Sequence, residues 1–186
     1  MAVAFLTVGE ARAASRRAWG TRTAAESAVT KALSTPRTTD FDIFLSHSLE
    51  DAEIIAGVQA MLVEEGLSVY VDWMVDPMLD RSAVTVKTAQ LLRKRMNHSR
   101  FLLFATSSTS PTSKWMPWEL GYFDGKHPHH VGVLPLVQQE DATFRGQEYL
   151  GLYPVYEMIN MRDHGRRIAR ALDDTHAELL KVAARR

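Results

Sequence analysis

The chain contains no cysteine, and this absence excludes disulfide bonds, thiolate nucleophiles and cysteine-ligated metal sites. It also lacks an excess of either charge, because 22 lysine and arginine residues balance 22 aspartate and glutamate residues. A balanced chain has no broad electrostatic surface for nucleic acid, so we expect no nucleic-acid partner. No apolar run approaches the ~20 residues that a membrane-spanning helix requires, so we expect no membrane partner either.

The first residues carry none of the positive charge that opens a secretory signal peptide, and their apolar stretch is short. We therefore expect a cytoplasmic protein. The apolar content of 46% is enough for a substantial core, and the length of 186 residues suits one domain with a short extension.

The N-terminal region differs in composition from the rest of the chain. Residues 9–33 are rich in alanine and arginine, which favours one helix, or two helices broken near Gly20. Because Glu10 and Glu26 dilute its positive charge, a helix packed on the domain or on a neighbouring subunit is a better interpretation than a nucleic-acid surface. Residues 34–40 have the composition of a linker.

Short apolar runs alternate with helical apolar spacing in the remainder of the chain. This alternation predicts an α/β fold with a central parallel sheet of five strands joined by right-handed crossovers. The predicted strands are residues 41–45, 67–71, 101–105, 130–136 and 155–159. The predicted helices begin after residue 48, at residues 82 and 114, and at residue 163, where the last runs to residue 184.

The helix after the first of these strands has recognisable ends. Ser48 is in the N-cap position, and Asp51 three residues later completes the pattern of a capping box. Gly66 is in the position where a left-handed backbone often ends a helix. These signals place Ser46 and His47 at the carboxyl end of the first strand.

Polar residues follow three of the predicted strands at their carboxyl ends. Ser46 and His47 follow the first strand, Asp72 follows the second, and a polar loop follows the third. That loop leads into a helix whose first turns carry Glu119. Open parallel sheets with flavodoxin-like strand order bind ligands outside the carboxyl ends of their strands, so we expect these side chains to converge on one site.

Each of these residues also has a purely structural explanation. The helix dipole would stabilise the negative charge of Glu119 without any chemical role for this residue, and Asp72 fits a turn. Trp115 and Trp118 flank Glu119, but tryptophans pack in cores more often than they hold ligands. Histidines cluster at residues 127–130, but their spacing matches no established zinc pattern, so we expect no metal.

Two segments resemble motifs of the Toll/interleukin-1 receptor (TIR) domain family. Residues 41–48, FDIFLSHS, resemble the family's opening motif, and residues 113–120, SKWMPWEL, resemble its third-helix motif. Between them, residues 66–72, GLSVYVD, resemble its second strand and the start of its BB loop. The chain is similar to bacterial stand-alone TIR proteins, including those of Thoeris antiphage defence systems.

The resemblance implies a flavodoxin-like, three-layer TIR domain over residues 40–186, with residues 1–39 as an N-terminal helical extension and linker. It also implies an enzyme that cleaves NAD+ at the nicotinamide–ribose bond, with NAD+ as its substrate and no resident cofactor. The family's catalytic glutamate corresponds to Glu119. A carboxylate at that position would stabilise the positive charge that develops on ribose as nicotinamide departs.

The resemblance also suggests which residues bind the substrate. Ser46, His47 and Asp72 would line the ribose and phosphate region, and Trp115 would stack or pack beside Glu119. The product would be ADP-ribose or a cyclic ADP-ribose that signals to a separate effector in antiphage defence. Self-association through TIR surfaces would accompany this activity.

Two alternatives remain open at this stage. A TIR domain can act as a non-enzymatic adaptor through self-association, and an adaptor does not need Glu119. A nucleoside 2-deoxyribosyltransferase-like enzyme is a related α/β protein that also places a glutamate at a ribose carbon. Such an enzyme would cleave free nucleosides and ignore NAD+.

Overall fold

A computed structural model describes residues 5–20, 40–77, 79, 85–139, 144 and 146–156. The strands are β1 (Leu6–Thr7), β2 (Phe41–Ser46), β3 (Val69–Tyr70), β4 (Ser99–Thr106) and β5 (Val131–Val137). The helices are α1 (Val8–Trp19), α2 (Ala52–Glu64), α3 (Asp72–Val75), α4 (Val86–Asn97) and α5 (Met116–Lys126). Short 3-10 turns cover Leu49–Asp51, Ser110–Thr112 and Glu148–Leu152. The helix predicted over residues 163–184 lies outside the described residues.

The strands in this part of the chain form one parallel sheet in the order β1-β5-β4-β2-β3. From the other edge, the run β3-β2-β4-β5 has the strand order of flavodoxin-like sheets, with β1 in the outer position beside β5. This arrangement confirms the predicted α/β fold with a central parallel five-stranded sheet. It also places the topological switch point, where the strand order reverses, between β2 and β4, and the carboxyl end of β2 carries Ser46.

Helices cover both faces of the sheet and give the fold three layers. Side chains alternate along β2, so Ile43 and Leu45 pack into one apolar cluster and Phe44 packs into the other. The first cluster includes residues of α1 and α2, and the second includes residues of α4 and α5. Because the alternation continues past the strand, Ser46 and His47 point to opposite faces of the sheet.

The outer strand beside β5 differs from the one that the sequence predicts. β1 pairs with the end of β5, where Leu6 lies beside Leu136, whereas Val155 forms an isolated bridge with Val133. Residues 157–159 of the predicted strand lie outside the described part of the chain. β1 is two residues long, so it has no alternating pattern from which it could be predicted.

Residues 5–19 pack against the same core as the rest of the sheet. Leu6 and Val8 are buried in the apolar cluster on the α2 side. Trp19, near the end of α1, reaches α2 and donates from its indole N–H to the Ala56 carbonyl at 3.5 Å. The domain boundary predicted between residues 39 and 40 stays a prediction, since the linker before it lies outside the described residues.

Two glycines end helices where the sequence predicts it. Gly20 follows α1 with a φ of +68°, and Gly66 follows α2 with a φ of +85°. Glycine adopts such left-handed backbone at little cost because it has no Cβ. Within the described ranges, no helix has the length and apolar character needed to span a membrane.

Candidate active site

The carboxyl ends of β2, β3 and β4 meet at one edge of the sheet. Ser46, the last residue of β2, lies beside Phe104 of β4, and β3 pairs with β2 on its other side. Asp72 begins α3 just beyond β3 and is buried. The structure thus brings Ser46, His47 and Asp72 to the edge where the sequence predicts a site.

Glu119 occupies the side of α5 that faces the sheet. The buried residues of α5 are spaced three and four apart, which describes one helical stripe: Met116, Glu119, Leu120 and Phe123. Glu119 has 0% of its surface exposed. A carboxylate on such a stripe is unusual, because burying a charged group is costly unless hydrogen bonds compensate.

The Ser46 hydroxyl provides one such hydrogen bond. Ser46 Oγ donates to Glu119 Oε2 at 2.6 Å in a buried contact. The main-chain N–H of Glu119 donates to the Trp115 carbonyl at 2.8 Å, so the backbone of α5 is regularly helical there. The first turn of α5 also favours a carboxylate through the helix dipole. These contacts fix the Glu119 carboxylate beside the end of β2.

The two tryptophans that flank Glu119 in sequence pack in different ways. Trp115 is 5% exposed and lies edge-on to Trp118, with ring centres 5.4 Å apart. Trp118 is half-buried, stacks on Tyr122 at 5.8 Å and lies 5.3 Å from the Arg93 guanidinium. Trp115 belongs to the apolar cluster of α4 and α5, which accounts for its burial. Its contact with a substrate stays a prediction.

His47 is 1% exposed, and both of its ring nitrogens have partners within the chain. Nδ1 lies 2.8 Å from the Leu45 carbonyl oxygen, and Nε2 lies 3.1 Å from the Trp73 indole nitrogen. Because an indole N–H only donates, Nε2 is the acceptor and Nδ1 carries the proton that bonds to Leu45. The Asp72 carboxylate lies 3.3 Å from Nε2. The predicted contact between His47 and a substrate stays a prediction.

α3 is a single helical turn, and hydrogen bonds fix both of its ends. Arg95 of α4 forms a two-point ion pair with Asp76, with nitrogen–oxygen distances of 2.9 and 2.8 Å. The Tyr70 hydroxyl donates to the same carboxylate at 2.9 Å. Hydrogen bonding to Asp76 raises the pKa of Arg95, and burial together with the Asp76 charge raises the pKa of Tyr70. At the other end, Trp73 bonds to His47.

The capping box predicted at Ser48 and Asp51 is wrong. Ser48 makes no side-chain cap, and a short 3-10 turn follows it in place of the start of α2. Asp51 Oδ2 instead accepts hydrogen bonds from the hydroxyls of Ser107 and Thr109, at 2.5 and 2.8 Å. Asp51 therefore connects the start of α2 to the polar loop that follows β4.

Sequence reasoning missed three residues that shape this edge of the sheet. It gave no role to Trp73, Asp76 or Arg95. The position of Trp73 directly after Asp72 is the signal that could have identified it. Nothing in the sequence pairs Asp76 with Arg95, because the two residues are 19 positions apart and lie on different elements.

The histidines after α5 differ in burial, since His129 is exposed whereas His127 packs against α5. The His127 ring lies 4.8 Å from the Phe123 ring centre, and burial lowers the pKa of His127. The described residues contain no group of three or more histidine and acidic side chains that could hold a metal ion.

Comparison with known proteins gives relatives but no family assignment, since no family model matches the chain. The "Probable 3' cyclic ADP-D-ribose synthase ThsB'" of Bacillus cereus (strain MSX-D12) is 52% identical over 115 residues, which are 61% of this chain and 59% of that protein. The "Putative cyclic ADP-D-ribose synthase TIR2" of Cytobacillus dafuensis is 32% identical over 83 residues, which are 44% of this chain and 22% of that protein. The chain thus spans about three fifths of the first relative and about a fifth of the second.

Proposed function

Because this chain is a homologue of bacterial TIR proteins, we propose that it is an enzyme that cleaves NAD+ and forms a cyclic ADP-ribose. The names of both relatives describe cyclic ADP-ribose synthases, and the first shares half of its aligned residues with this chain. In this proposal, residues 40–186 form the TIR domain and residues 1–39 extend it.

The observation that carries the proposal is the buried carboxylate of Glu119 beside Ser46. Core-facing positions of a helix are normally apolar, and a leucine or methionine at this position would pack without the cost of burying a charge. The carboxylate instead lies at the carboxyl edge of a parallel sheet, where folds of this class bind their ligands. A hydrogen bond of 2.6 Å from Ser46 gives it a fixed direction.

This geometry suits chemistry at a ribose carbon. Nicotinamide leaves with the electron pair of the carbon–nitrogen bond, and the positive charge passes to the ribose. A carboxylate close to that carbon stabilises the oxocarbenium-like transition state. A hydroxyl of the adenosine part of the same molecule then bonds to the ribose carbon and releases its proton, which closes the ring. Water in place of that hydroxyl would give linear ADP-ribose.

We assign supporting roles to the residues around Glu119. The Ser46 hydroxyl orients the carboxylate, and Asp72 lines the region of the ribose and phosphates. Trp115 packs beside Glu119 and limits the access of water, because a low-water site favours an internal hydroxyl as the acceptor. The burial of Glu119 in the single chain agrees with an enzyme whose site opens or is completed on self-association.

The cyclic product would act as a messenger for a separate effector in antiphage defence. The name of the relative from Bacillus cereus supports the cyclic product, and the resemblance to the TIR proteins of Thoeris systems supports the role in defence. Apart from further copies of this chain, the proposal needs no partner other than NAD+ for the chemical step.

The test is incubation of the purified protein with NAD+ at high protein concentration, followed by chromatography of the nucleotides. A parallel incubation contains an extract of phage-infected cells, and another contains free deoxynucleosides. We expect release of nicotinamide together with a cyclic ADP-ribose. Absence of nicotinamide with and without extract would contradict the proposal and favour an adaptor. Cleavage of deoxynucleosides without cleavage of NAD+ would favour a deoxyribosyltransferase-like enzyme.

A further inference from the structure

Ser46 and His47 are neighbours in sequence, but their contacts lie on opposite sides of the sheet. Ser46 bonds to Glu119 of α5, which packs with the second apolar cluster. His47 bonds to Trp73 of α3, which packs against the first cluster with α1 and α2. The backbone at the end of β2 is therefore held from both faces at once.

The hydrogen bonds of His47 leave its ring little freedom. Nδ1–H donates to the Leu45 carbonyl two residues earlier, and Nε2 accepts from the Trp73 indole N–H. With 1% of its surface exposed, the ring is enclosed by the protein. A ligand could bond to a ring nitrogen only after one of these internal hydrogen bonds breaks.

α3 depends on such contacts for its position. It has four residues, and a helix of that length is not stable by itself in water. The Arg95–Asp76 ion pair holds its far end, and the His47–Trp73 hydrogen bond holds its near end. Asp72, the first residue of α3, directly precedes the anchor at Trp73, and its carboxylate lies 3.3 Å from His47 Nε2.

We infer that His47 is a positioning residue for the reaction proposed above, acting through Trp73 to hold α3 and the end of β2 beside Glu119. His47 does not contact NAD+ in this assignment. The inference rests on the proposed function for its effect on catalysis, whereas the hydrogen bond between His47 and Trp73 can be tested without activity.

Four variants separate positioning from contact with the substrate. His47→Asn keeps a donor near the Nδ1 position but cannot reach Trp73, whereas His47→Gln places an acceptor near the Nε2 position. Trp73→Phe removes the indole N–H and keeps an aromatic ring. Trp19→Phe is the matched control, because it removes an indole hydrogen bond to Ala56 on the α1–α2 side.

We expect His47→Asn and Trp73→Phe to lower kcat by about ten- to a hundredfold, since small misplacements in a site cost rate of that order. KM for NAD+ should change by the same factor in both variants, because Asp72 moves with α3 in each and neither substitution itself removes a substrate contact. His47→Gln should recover most of the loss in kcat, and Trp19→Phe should match the wild type. A rise in KM for His47→Asn that Trp73→Phe does not share would overturn the inference.

The double variant His47→Asn/Trp73→Phe measures whether the two residues act together on kcat. If the two residues act through one hydrogen bond, its kcat should equal that of the worse single variant, whereas multiplied losses would contradict the coupling. The indole N–H resonance of Trp73 gives a readout without turnover. It should shift in His47→Asn and return toward its original position in His47→Gln.

The two proposals fail in different ways. An inactive wild-type protein would contradict the proposed function, and the indole resonance would still decide whether His47 holds α3. An unmoved Trp73 resonance in His47→Asn would overturn the positioning role whatever the activity.

Discussion

Gly57 of α2 packs directly against the main chain of α1. A Cβ at this position would lie 1.8 Å from the Ala11 carbonyl oxygen, 2.6 Å from its carbonyl carbon and 3.1 Å from the Ser15 nitrogen. All three atoms belong to the main chain of α1, so no side-chain rotation can relieve the overlap. Gly57→Ala therefore requires α1 to move away from α2 as a unit.

The size of the effect follows from two opposing contributions. Overpacking of a core costs about 1–3 kcal/mol, and a clash with main chain belongs at the upper end of that range. Alanine in a helix recovers up to about 1 kcal/mol relative to glycine. We expect Gly57→Ala to lower the free energy of unfolding by about 2 kcal/mol, and the melting temperature by about 4–8 °C for a chain of this size.

Thermal unfolding followed by circular dichroism measures this change. Gly125→Ala is the matched control, because Gly125 is a helical glycine of α5 whose added Cβ would meet no atom within 4 Å. We expect the control to keep or raise the melting temperature. If Gly57→Ala is as stable as Gly125→Ala, then α1 does not pack on α2, and the N-terminal segment is not part of this core.

Two further predictions concern the edge of the site and the helix behind it. Arg95→Lys keeps the positive charge but loses the two-point bond to Asp76, so we expect a loss of about 1–2 kcal/mol in thermal unfolding, with Arg93→Lys as a control that changes less. Burial lowers the pKa of His127 below its ordinary value of 6.5, so the unfolded chain binds the proton first as the pH falls. The stability that depends on neutral His127 is therefore fully present above about pH 6.5 and declines below it. His127→Gln should lack this decline in melting temperatures measured from pH 7.5 to pH 5, and equal declines in both proteins would contradict the assignment.

The fold was predictable wherever an element is long enough to show a pattern. The apolar runs at residues 41–45 and 101–105 correspond to β2 and β4, and the helical spacing after Ser48 corresponds to α2. β1 was not predictable, because a strand of two residues has no period and its partner lies about 130 positions away.

The candidate site was predictable to the level of the sheet edge but not of its hydrogen bonds. Parallel topology brings Ser46 and Asp72 to one edge, and the TIR resemblance pointed to Glu119 as the carboxylate beside them. The contacts of His47 and Asp51 depend on where a side chain points after its strand or turn ends. Local patterns favoured a capping box for Asp51, whereas the folded chain uses its carboxylate to bind hydroxyls of a distant loop.

The catalytic role of Glu119 is tested most directly by comparing the rates at which Glu119→Gln and Glu53→Gln release nicotinamide from NAD+. Glutamine keeps the shape of Glu119 and can still bond to Ser46, but it cannot neutralise a positive ribose. Glu53 is an exposed carboxylate of α2 that pairs with Arg12 at 3.2 Å, which makes it a control for the loss of one charge. We predict that Glu119→Gln loses at least about a hundredfold in rate, as removal of a transition-state contact does, while Glu53→Gln retains the wild-type rate. Equal rates in the two variants would contradict a catalytic role for Glu119.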